Sequence, residues 1–282
     1  PASKDPLTVF PLDGQDFQNV PDSTLLALFE TAPVLHRFGG TQVVRLSQTL
    51  VVKGGSSVFP AEAEAMALTK RETGIPLPAV HRVIPGKPDD GFDGERCYIV
   101  MDYIEGTTLD ISWPSVDPAQ RAAVAVQTAK MIEELSTVAL TIPGPTGGAR
   151  RCHGPWFSDY GAENFDTLAQ MEGWFNHKLD ICQRFSEASR TTPRFAFEKL
   201  VLTHQDTAPR NIILDAEGKA WLIDWAFAGA YPEGFERVAL FIQNRFHSPE
   251  FNDEVCKLIA PYPELEDQRV MIAYGLTTAA LA

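Results

Sequence analysis

The chain of 282 residues is long enough for two lobes that share a cleft, and its 44% hydrophobic and 22% charged residues are typical of a globular protein. Its net charge of −13 argues against nucleic acid or an anionic membrane as a partner. The same acidity suits a cationic substrate, although a solvated acidic surface is the commoner origin of such a charge.

The cysteines and the hydropathy pattern indicate the cellular environment of the protein. No apolar run has the length of a transmembrane span, and no basic-then-apolar signal peptide opens the sequence. The four cysteines are far apart and form no C-x-x-C pair, which disfavours a zinc site and suits a reducing, cytoplasmic setting.

The first part of the chain predicts a mixed α and β structure. A helix start at Pro21-Asp22-Ser23, alternating apolar residues and a glycine pair set its elements. A polar turn at residues 86–95 separates the last two strands. The expected elements are a helix (21–33), a hairpin (34–52), a helix (60–72) and two strands (79–84 and 96–103).

After Glu105-Gly106, where the apolar strand ends, the pattern becomes mainly helical. A Gly- and Pro-rich stretch at residues 141–161 must be a long loop, and its aromatic residues Trp156, Phe157 and Tyr160 either form a substrate wall or anchor the loop. The expected helices span residues 117–138, 164–189, 232–246 and 264–281.

One segment of the second part contains a motif that indicates a chemical function. It reads H-x-D-x-x-x-x-N, followed by a hairpin (strands at 212–214 and 220–223) that ends in an aspartate. This arrangement is typical of the catalytic and metal-binding loops of kinases. The residues that carry it are His204, Asp206, Asn211 and Asp224.

The residue types fit phosphoryl transfer. A carboxylate is needed to orient the attacking hydroxyl, which predicts Asp206 as the base, and Mg²⁺ prefers oxygen ligands, which predicts Asn211 and Asp224 as its ligands. His204 is expected to pack and hydrogen-bond within the loop rather than react. The alternative is a buried hairpin with polar residues at the surface.

Three features upstream would complete a nucleotide site. Gly39 and Gly40 would let backbone N–H groups approach phosphates, although two glycines also make an ordinary turn. Lys53 ends an apolar strand, and Glu64 falls within the apolar stripe of helix 60–72, so we expect Glu64 to pair with Lys53 and hold it against the phosphates. Both charges could instead be solvated.

The strand end at residues 101–106 is the expected hinge between the lobes. There the backbone of Asp102 and Ile104 would hydrogen-bond adenine and Met101 would line its pocket. The alternative is simply the end of a strand.

With these motifs placed, the sequence resembles the aminoglycoside phosphotransferase and choline kinase-like family, particularly its fungal-type members. The resemblance covers residues 39–237. Its motifs are VVK at 51–53, EAEAM and IPLP within 62–78, YIVMDYIEG at 98–106, THQDTAPRNIILD at 203–215 and LIDWAFAGAYPEGFE at 222–236.

The resemblance implies an α+β, two-lobed protein-kinase-like fold, with a β-rich lobe at residues 1–103 and a mainly helical lobe at 104–282. It implies ATP- and Mg²⁺-dependent phosphorylation of a hydroxyl group on a small molecule. Protein kinases are disfavoured because Trp225-Ala226 follows Asp224 and no activation segment is present. The chain departs from the family at Gln205, where glycine is common, and at Ala226, where an acidic residue is common.

Two other functions fit the same sequence. One is a nucleotide-binding member of the fold with little catalysis, which would usually have lost the lysine, the base or a metal ligand. The other is a transferase that uses the fold for chemistry without ATP, since a fold does not fix a function. The sequence names neither the acceptor nor its contacts, for which Trp225 and the aromatic residues of the long loop are the candidates.

Overall fold

The first part of the chain folds into an antiparallel sheet flanked by two helices. The computed structural model describes residues 9–86, 95–147, 151–158, 160–244 and 249–280, so most of the turn expected at residues 86–95 lies outside it. The elements are α1 (Asp22–Thr31), β1 (Val34–Phe38), β2 (Thr41–Arg45), β3 (Leu50–Gly55), α2 (Pro60–Glu72), β4 (Val80–Pro85) and β5 (Cys97–Asp102). The strand order is β1-β2-β3-β5-β4.

The expected hairpin is a meander of three strands, because β1 precedes the glycine pair and also joins the sheet. Gly39 and Gly40 form the turn between β1 and β2, with φ of +56° and +81°. Positive φ at both central residues is the geometry of the tight hairpin turns that glycine favours. The sequence pattern missed β1 because all five of its residues are exposed and show no alternation of burial.

The two faces of the sheet are covered by different helices. Val52 and Val100 pack in one cluster with Leu25 and Phe29 of α1. Ile99, which lies opposite Lys53 across β3 and β5, packs with Ala63 of α2. Lys53 therefore lies on a central strand, under α2, and is not a surface lysine.

The second part contains two smaller sheets and most of the helices. The three-stranded sheet has the order β11-β10-β6 and the four-stranded sheet β7-β9-β12-β8. The elements are β6 (Thr107–Thr108), α3 (Leu109–Ser112), α4 (Pro118–Thr137), β7 (Ala139–Leu140), β8 (Gly144–Pro145), α5 (Leu168–Arg184), β9 (Leu200–Thr203), β10 (Ile212–Leu214), β11 (Ala220–Leu222), β12 (Gly229–Pro232), α6 (Phe235–Asn244), α7 (Pro249–Cys256), α8 (Pro263–Met271) and α9 (Ala273–Leu276).

Helix ends follow local signals where caps are present. Asp117 caps α4 by accepting a hydrogen bond from the N–H of Gln120 at 2.9 Å, and Thr167 and Gln170 form a capping box at α5. The helix expected from Pro232 begins instead at Phe235, because residues 229–232 form β12 between β8 and β9. Tertiary pairing outweighs the local helix signal there.

The C-terminal region also differs from expectation. The helix expected at residues 264–281 is broken into α8 and α9, and α7 was not anticipated. The expected ends at Phe246 and Leu281 lie outside the described residues. No helix in the described part of the chain combines the length and the apolar character required to cross a bilayer.

One hydrophobic core joins the two parts of the chain. Met66 and Leu77 from the first part pack in the same cluster as Leu222 and Trp225 from the second. The N–H of Leu222 also donates to the carbonyl of Pro76 at 2.9 Å. The lobe boundary between residues 103 and 104 stays a prediction, and it falls between β5 and β6.

The aromatic residues of the long loop differ in their burial. Trp156 is fully buried, stacks on Phe235 with 3.7 Å between ring centroids, and donates from Nε1 to the carbonyl of that residue. Phe157 is also buried, whereas Tyr160 is 58% exposed. Trp156 and Phe157 therefore anchor the loop and are not available as a substrate wall.

Replacing Trp156 by alanine should destabilise the protein by about 3–5 kcal/mol, because it removes a large buried ring and leaves a cavity. Urea denaturation followed by circular dichroism measures this change. Tyr160→Ala in the same loop is the matched control and should change stability by less than about 1 kcal/mol, since that ring is largely in solvent. Equal losses for the two variants would contradict the anchoring role.

Candidate active site

The loop between β9 and β10 brings most of the expected residues of the second part together. β9 and β10 belong to different sheets, so the connecting residues 204–211 lie where the two sheets meet. All residues of this loop except Arg210 are buried. Asp206 and Asn211 contact each other directly, since Nδ2 of Asn211 donates to Oδ2 of Asp206 at 2.7 Å and to its carbonyl at 2.9 Å.

His204 fixes this loop to the end of the following hairpin. Its Nε2 donates to the carbonyl of Ile223 at 3.1 Å, and its Nδ1 accepts from the N–H of Asp206 at 3.2 Å. These two bonds require the neutral tautomer with the proton on Nε2. Burial lowers the pKa of His204 to about 4. His204 is therefore a neutral structural link between Asp206 and the residue before Asp224, as expected from the sequence.

The ammonium group of Lys53 lies between two carboxylates. Nζ is 2.5 Å from Oε1 of Glu62 and 2.7 Å from Oδ1 of Asp224, and the side chains of Lys53 and Glu62 are only 5% and 2% exposed. Burial by itself would lower the pKa of Lys53, but the two carboxylates outweigh it and the pKa is raised. The lysine is thus charged and fixed between α2 and the end of the β10–β11 hairpin.

The expected partner of Lys53 was wrong. Glu62, not Glu64, forms the ion pair, and Glu64 is exposed. The buried side of α2 consists of Ala61, Glu62, Ala63, Ala65, Met66 and Thr69. Glu64 instead points to the loop after β8, where a Cβ added to Gly147 would lie 1.9 Å from its Oε2. The predicted stripe shares Ala61 and Ala65 with the buried side of α2, but that side continues toward Glu62 and not toward Glu64.

Asp224 occupies a position that fits a metal ligand. The β10–β11 hairpin returns the chain so that the N–H of Ile223 donates to the carbonyl of Asn211 at 2.9 Å. Asp224 has φ of +61°, and 43% of its side chain is exposed, in contrast to the enclosed Glu62. Partial burial favours a higher pKa of Asp224, but the charge and hydrogen bond of Lys53 prevail and lower it.

The oxygen donors of Asn211 and Asp224 suit a hard divalent cation. Among the described residues no cluster of three or more His, Cys, Asp or Glu side chains could hold a metal by protein ligands alone. Asn211 and Asp224 supply one amide and one ionised carboxylate. Mg²⁺ at phosphate sites is commonly held by one or two such oxygen ligands together with the phosphates and water, so the residues present fit it.

Asp206 is enclosed by hydrogen-bond donors. Oδ1 accepts from Nη2 of Arg210 and, at 2.9 Å, from Nε2 of Gln243, while Oδ2 accepts from Asn211. Burial raises the pKa of Asp206, and the Arg210 charge and the Asn211 bond oppose that rise. Its side chain is 10% exposed, so it remains accessible to a small group.

Glu236 is a positioning residue that the sequence did not reveal. Its Oε2 accepts from the N–H groups of His204 and Gln205, both at 2.7 Å, and its Oε1 accepts from the hydroxyl of Thr207 at 2.5 Å. Gln205 has φ of +66°, a conformation that costs little only for glycine. Glu236 and the bond from Nε2 of Gln205 to the carbonyl of Phe227 hold it there. The acidic residue ending the YPEGFE motif was the only signal.

The remaining candidates belong to the five-stranded sheet and lie at the turn between β1 and β2 and at the end of β5. The turn at Gly39 and Gly40 is tied to the segment after β3, since Ser57 donates from its hydroxyl to the carbonyl of Gly39 at 2.8 Å. At the strand end, the N–H of Asp102 donates to the carbonyl of Ala79 at 3.0 Å, and its carboxylate accepts from the N–H of Ala79 at 2.9 Å. Met101 and Ile104 are half-buried. Their contact with a nucleotide stays a prediction.

Trp225 is excluded as a substrate contact. It is fully buried and packs edge-on against the imidazole of His204, with 4.7 Å between ring centroids. Its Nε1 donates to the carbonyl of Leu222 at 3.2 Å. Trp225 therefore supports the catalytic loop from below.

Phosphoryl-transfer sites combine three features that are present here. These are a lysine between two carboxylates, a loop with an aspartate and an asparagine, and a hairpin that ends in an aspartate. The model of the phosphotransferase enzyme family, abbreviated APH, matches residues 42–257, which include the whole of this constellation. The chain belongs to this family and is a phosphotransferase, as its resemblance to aminoglycoside phosphotransferases implied. No protein of curated function matches the chain.

Solved structures share the fold at low identity. Aminoglycoside phosphotransferase APH(4)-Ia is 14% identical, with a TM-score of 0.57 over 90% of this chain and 88% of that chain. The streptomycin-ATP complex of APH(2'')-IIa is 16% identical, with a TM-score of 0.53 over 89% and 86%. ADP-bound APH(2'')-Ib is 15% identical, with a TM-score of 0.54 over 89% and 86%. These similarities confirm the α+β kinase-like fold.

The burial of neutral His204 should make stability depend on pH. A histidine in an unfolded chain titrates at about 6.5, so between this value and the folded-state pKa of about 4 the unfolded chain binds a proton that the folded protein does not. Stability therefore rises with pH across this window, by roughly 3 kcal/mol from His204 alone.

Urea titrations of His204→Gln and wild type at pH 7 and pH 4 measure this dependence. The variant should be less stable than wild type at pH 7, and the difference should shrink by roughly 3 kcal/mol at pH 4 because the variant lacks the titrating ring. His36→Gln, at an exposed histidine of β1, is the matched control. A difference between His204→Gln and wild type that is the same at both pH values would refute the assignment.

Proposed function

We propose that the protein is an ATP- and Mg²⁺-dependent kinase that phosphorylates a hydroxyl group of a small molecule. The observation that carries the proposal is the position of Lys53, whose ammonium group is held between Glu62 of α2 and Asp224 at the end of the catalytic hairpin. Two residues 171 positions apart in the sequence are thus in direct contact, which supports a phosphate site between the sheet and the β10–β11 hairpin.

The nucleotide side of the site would be formed by the five-stranded sheet. Lys53 would contact the phosphates, and Glu62 would keep its ammonium group in place while leaving other donor positions free. The Gly39-Gly40 turn lies at the end of the same hairpin, where backbone N–H groups can approach phosphates. Adenine would bind beside Met101, with hydrogen bonds to the carbonyl of Asp102 and the main chain of Ile104.

Asn211 and Asp224 are the residues that would hold Mg²⁺. The ion, when bound, neutralises part of the charge on the transferring phosphoryl group. Asp224 is exposed enough to reach a ligand and is ionised, since Lys53 lowers its pKa. Asn211 is fixed by its bonds to Asp206, which couples the expected metal position to the position of the base.

Asp206 would orient the acceptor hydroxyl and take its proton. The hydroxyl oxygen forms a bond to the γ-phosphorus of ATP, the bond from that phosphorus to the bridging oxygen breaks, and ADP leaves. Among the described residues, Oδ2 of Asp206 accepts a hydrogen bond only from Asn211, so a further lone-pair direction would serve the hydroxyl. The lysine, the base and the metal ligands are all retained, which weighs against a non-catalytic member of the fold.

The direct test is a screen for MgATP consumption against amino alcohols, sugars, hydroxy acids and aminoglycosides, with products identified by the mass gain of one phosphate. Asp206→Asn should lower kcat by roughly 10²- to 10⁴-fold with any acceptor found, because the general base is lost. Asp180→Asn, at an exposed ion pair with Arg194, is the matched control and should keep full activity. Full turnover by Asp206→Asn would show that the base is assigned wrongly.

The two glutamates of α2 provide a second, sharper test. Glu62→Gln should raise the KM for MgATP by about tenfold or more, because Lys53 loses a charged partner and shifts toward Asp224. Glu64→Gln should change this KM by less than about twofold, since an exposed glutamate contributes little. Steady-state kinetics with varied MgATP measure both, and melting temperatures show whether the variants are folded. A larger effect at Glu64 would overturn the assignment of the ion pair.

A further inference from the structure

The base on the acceptor side of the site is accompanied by an arginine. Nη2 of Arg210 contacts Oδ1 of Asp206, four residues earlier in the same loop. This is the only hydrogen bond or ion pair that Arg210 makes within the part of the chain that the structure describes. The side chain of Arg210 is 46% exposed, whereas that of Asp206 is 10% exposed.

The guanidinium of Arg210 has more hydrogen-bond donors than its contact with Asp206 uses. A guanidinium carries five N–H groups in a planar fork suited to two-point binding of carboxylates and phosphates. One nitrogen of Arg210 contacts Asp206, and the side chain as a whole is 46% exposed. Arg210 can therefore serve Asp206 and a bound anion at the same time.

The amide of Gln243, which also contacts Asp206, has an unused hydrogen-bond acceptor among the described residues. Its Nε2 donates to the same Oδ1 of Asp206 at 2.9 Å, which fixes the orientation of the amide. Its Oε1 is buried and has no hydrogen-bond partner in the part of the chain that the structure describes. A buried acceptor without a donor is costly, so a ligand with a hydroxyl or amino group beside its reacting hydroxyl would complete this position.

We infer that the acceptor is a small hydroxy acid, that is, a molecule whose carboxylate or other acidic group binds Arg210 while its hydroxyl binds Asp206. The inference rests on the proposed kinase function and adds the class of its acceptor. Because one guanidinium would contact both the base and the acid, the two groups of the acceptor are separated by few bonds. Arg210 is then a specificity-determining residue.

Matched pairs of acceptors test the inference. Each pair consists of a hydroxy acid and its primary amide (glycerate and glyceramide, L-serine and L-serinamide, L-homoserine and L-homoserinamide), assayed with MgATP and the full chain alongside choline and kanamycin. For at least one pair, kcat/KM for the acid should exceed that for the amide by roughly tenfold or more, the gain expected from a charge-assisted hydrogen bond.

Variants of Arg210 separate recognition from positioning of the base. Arg210→Gln should lower kcat/KM for the acid roughly 10- to 100-fold more than for the amide, mainly through KM, because only the acid loses its partner. Arg210→Lys should recover part of the preference, since it keeps the charge but not the fork. Arg194→Gln, at the exposed pair with Asp180, controls for the loss of an arginine elsewhere.

The outcomes are distinguishable. A preference for amides or for the cationic acceptors overturns the inference. Equal losses of kcat/KM for acid and amide in Arg210→Gln also overturn it, because they would mean that Arg210 acts on Asp206 alone. Calorimetry in the presence of MgADP covers the case without turnover: binding of MgADP without binding of any hydroxy acid overturns the inference but not nucleotide use. Absence of MgADP and MgATP binding overturns the proposed function itself.

Discussion

A lysine side chain that is only 5% exposed can remain charged only if carboxylates replace its water shell. Lys53 has two such carboxylates, and they come from opposite sides: Glu62 from the helix that covers the sheet and Asp224 from the catalytic hairpin. The ion pairs therefore specify how the sheet, α2 and the hairpin are placed together. Two carboxylates facing one ammonium group leave one negative charge in excess. This excess suits a divalent cation beside Asp224.

The loop at residues 204–211 is held from two directions by groups other than the proposed base and metal ligands. Neutral His204 connects the loop to Ile223, and Glu236 accepts three hydrogen bonds from residues 204, 205 and 207. Burial raises the pKa of Glu236, and the three donors oppose that rise by stabilising its charge. With both anchors in place, Gln205 can keep a left-handed conformation that would otherwise require glycine.

The two sides of the site differ in their electrostatics. Around Lys53 the carboxylates outnumber the cation, whereas Asp206 is matched by the guanidinium of Arg210. The aminoglycoside phosphotransferases that share this fold are 11–16% identical to the chain, so their acceptors are not carried over to it. If Asp206 is the base, as proposed, the guanidinium of Arg210 beside it favours an anionic over a cationic acceptor.

Local signals in the sequence determined several elements and the reactive groups. Proline and acidic residues start α2 at Pro60, and the H-x-D-x-x-x-x-N spacing with its hairpin brings Asn211 against the residue before Asp224. These features depend on residues close in the chain. Only the tertiary structure decided that Glu62 rather than Glu64 faces Lys53, because the rotation of a helix is fixed by what packs on it and not by its own periodicity. It likewise decided the burial of Trp156 and the role of Glu236, whose partners are distant in sequence.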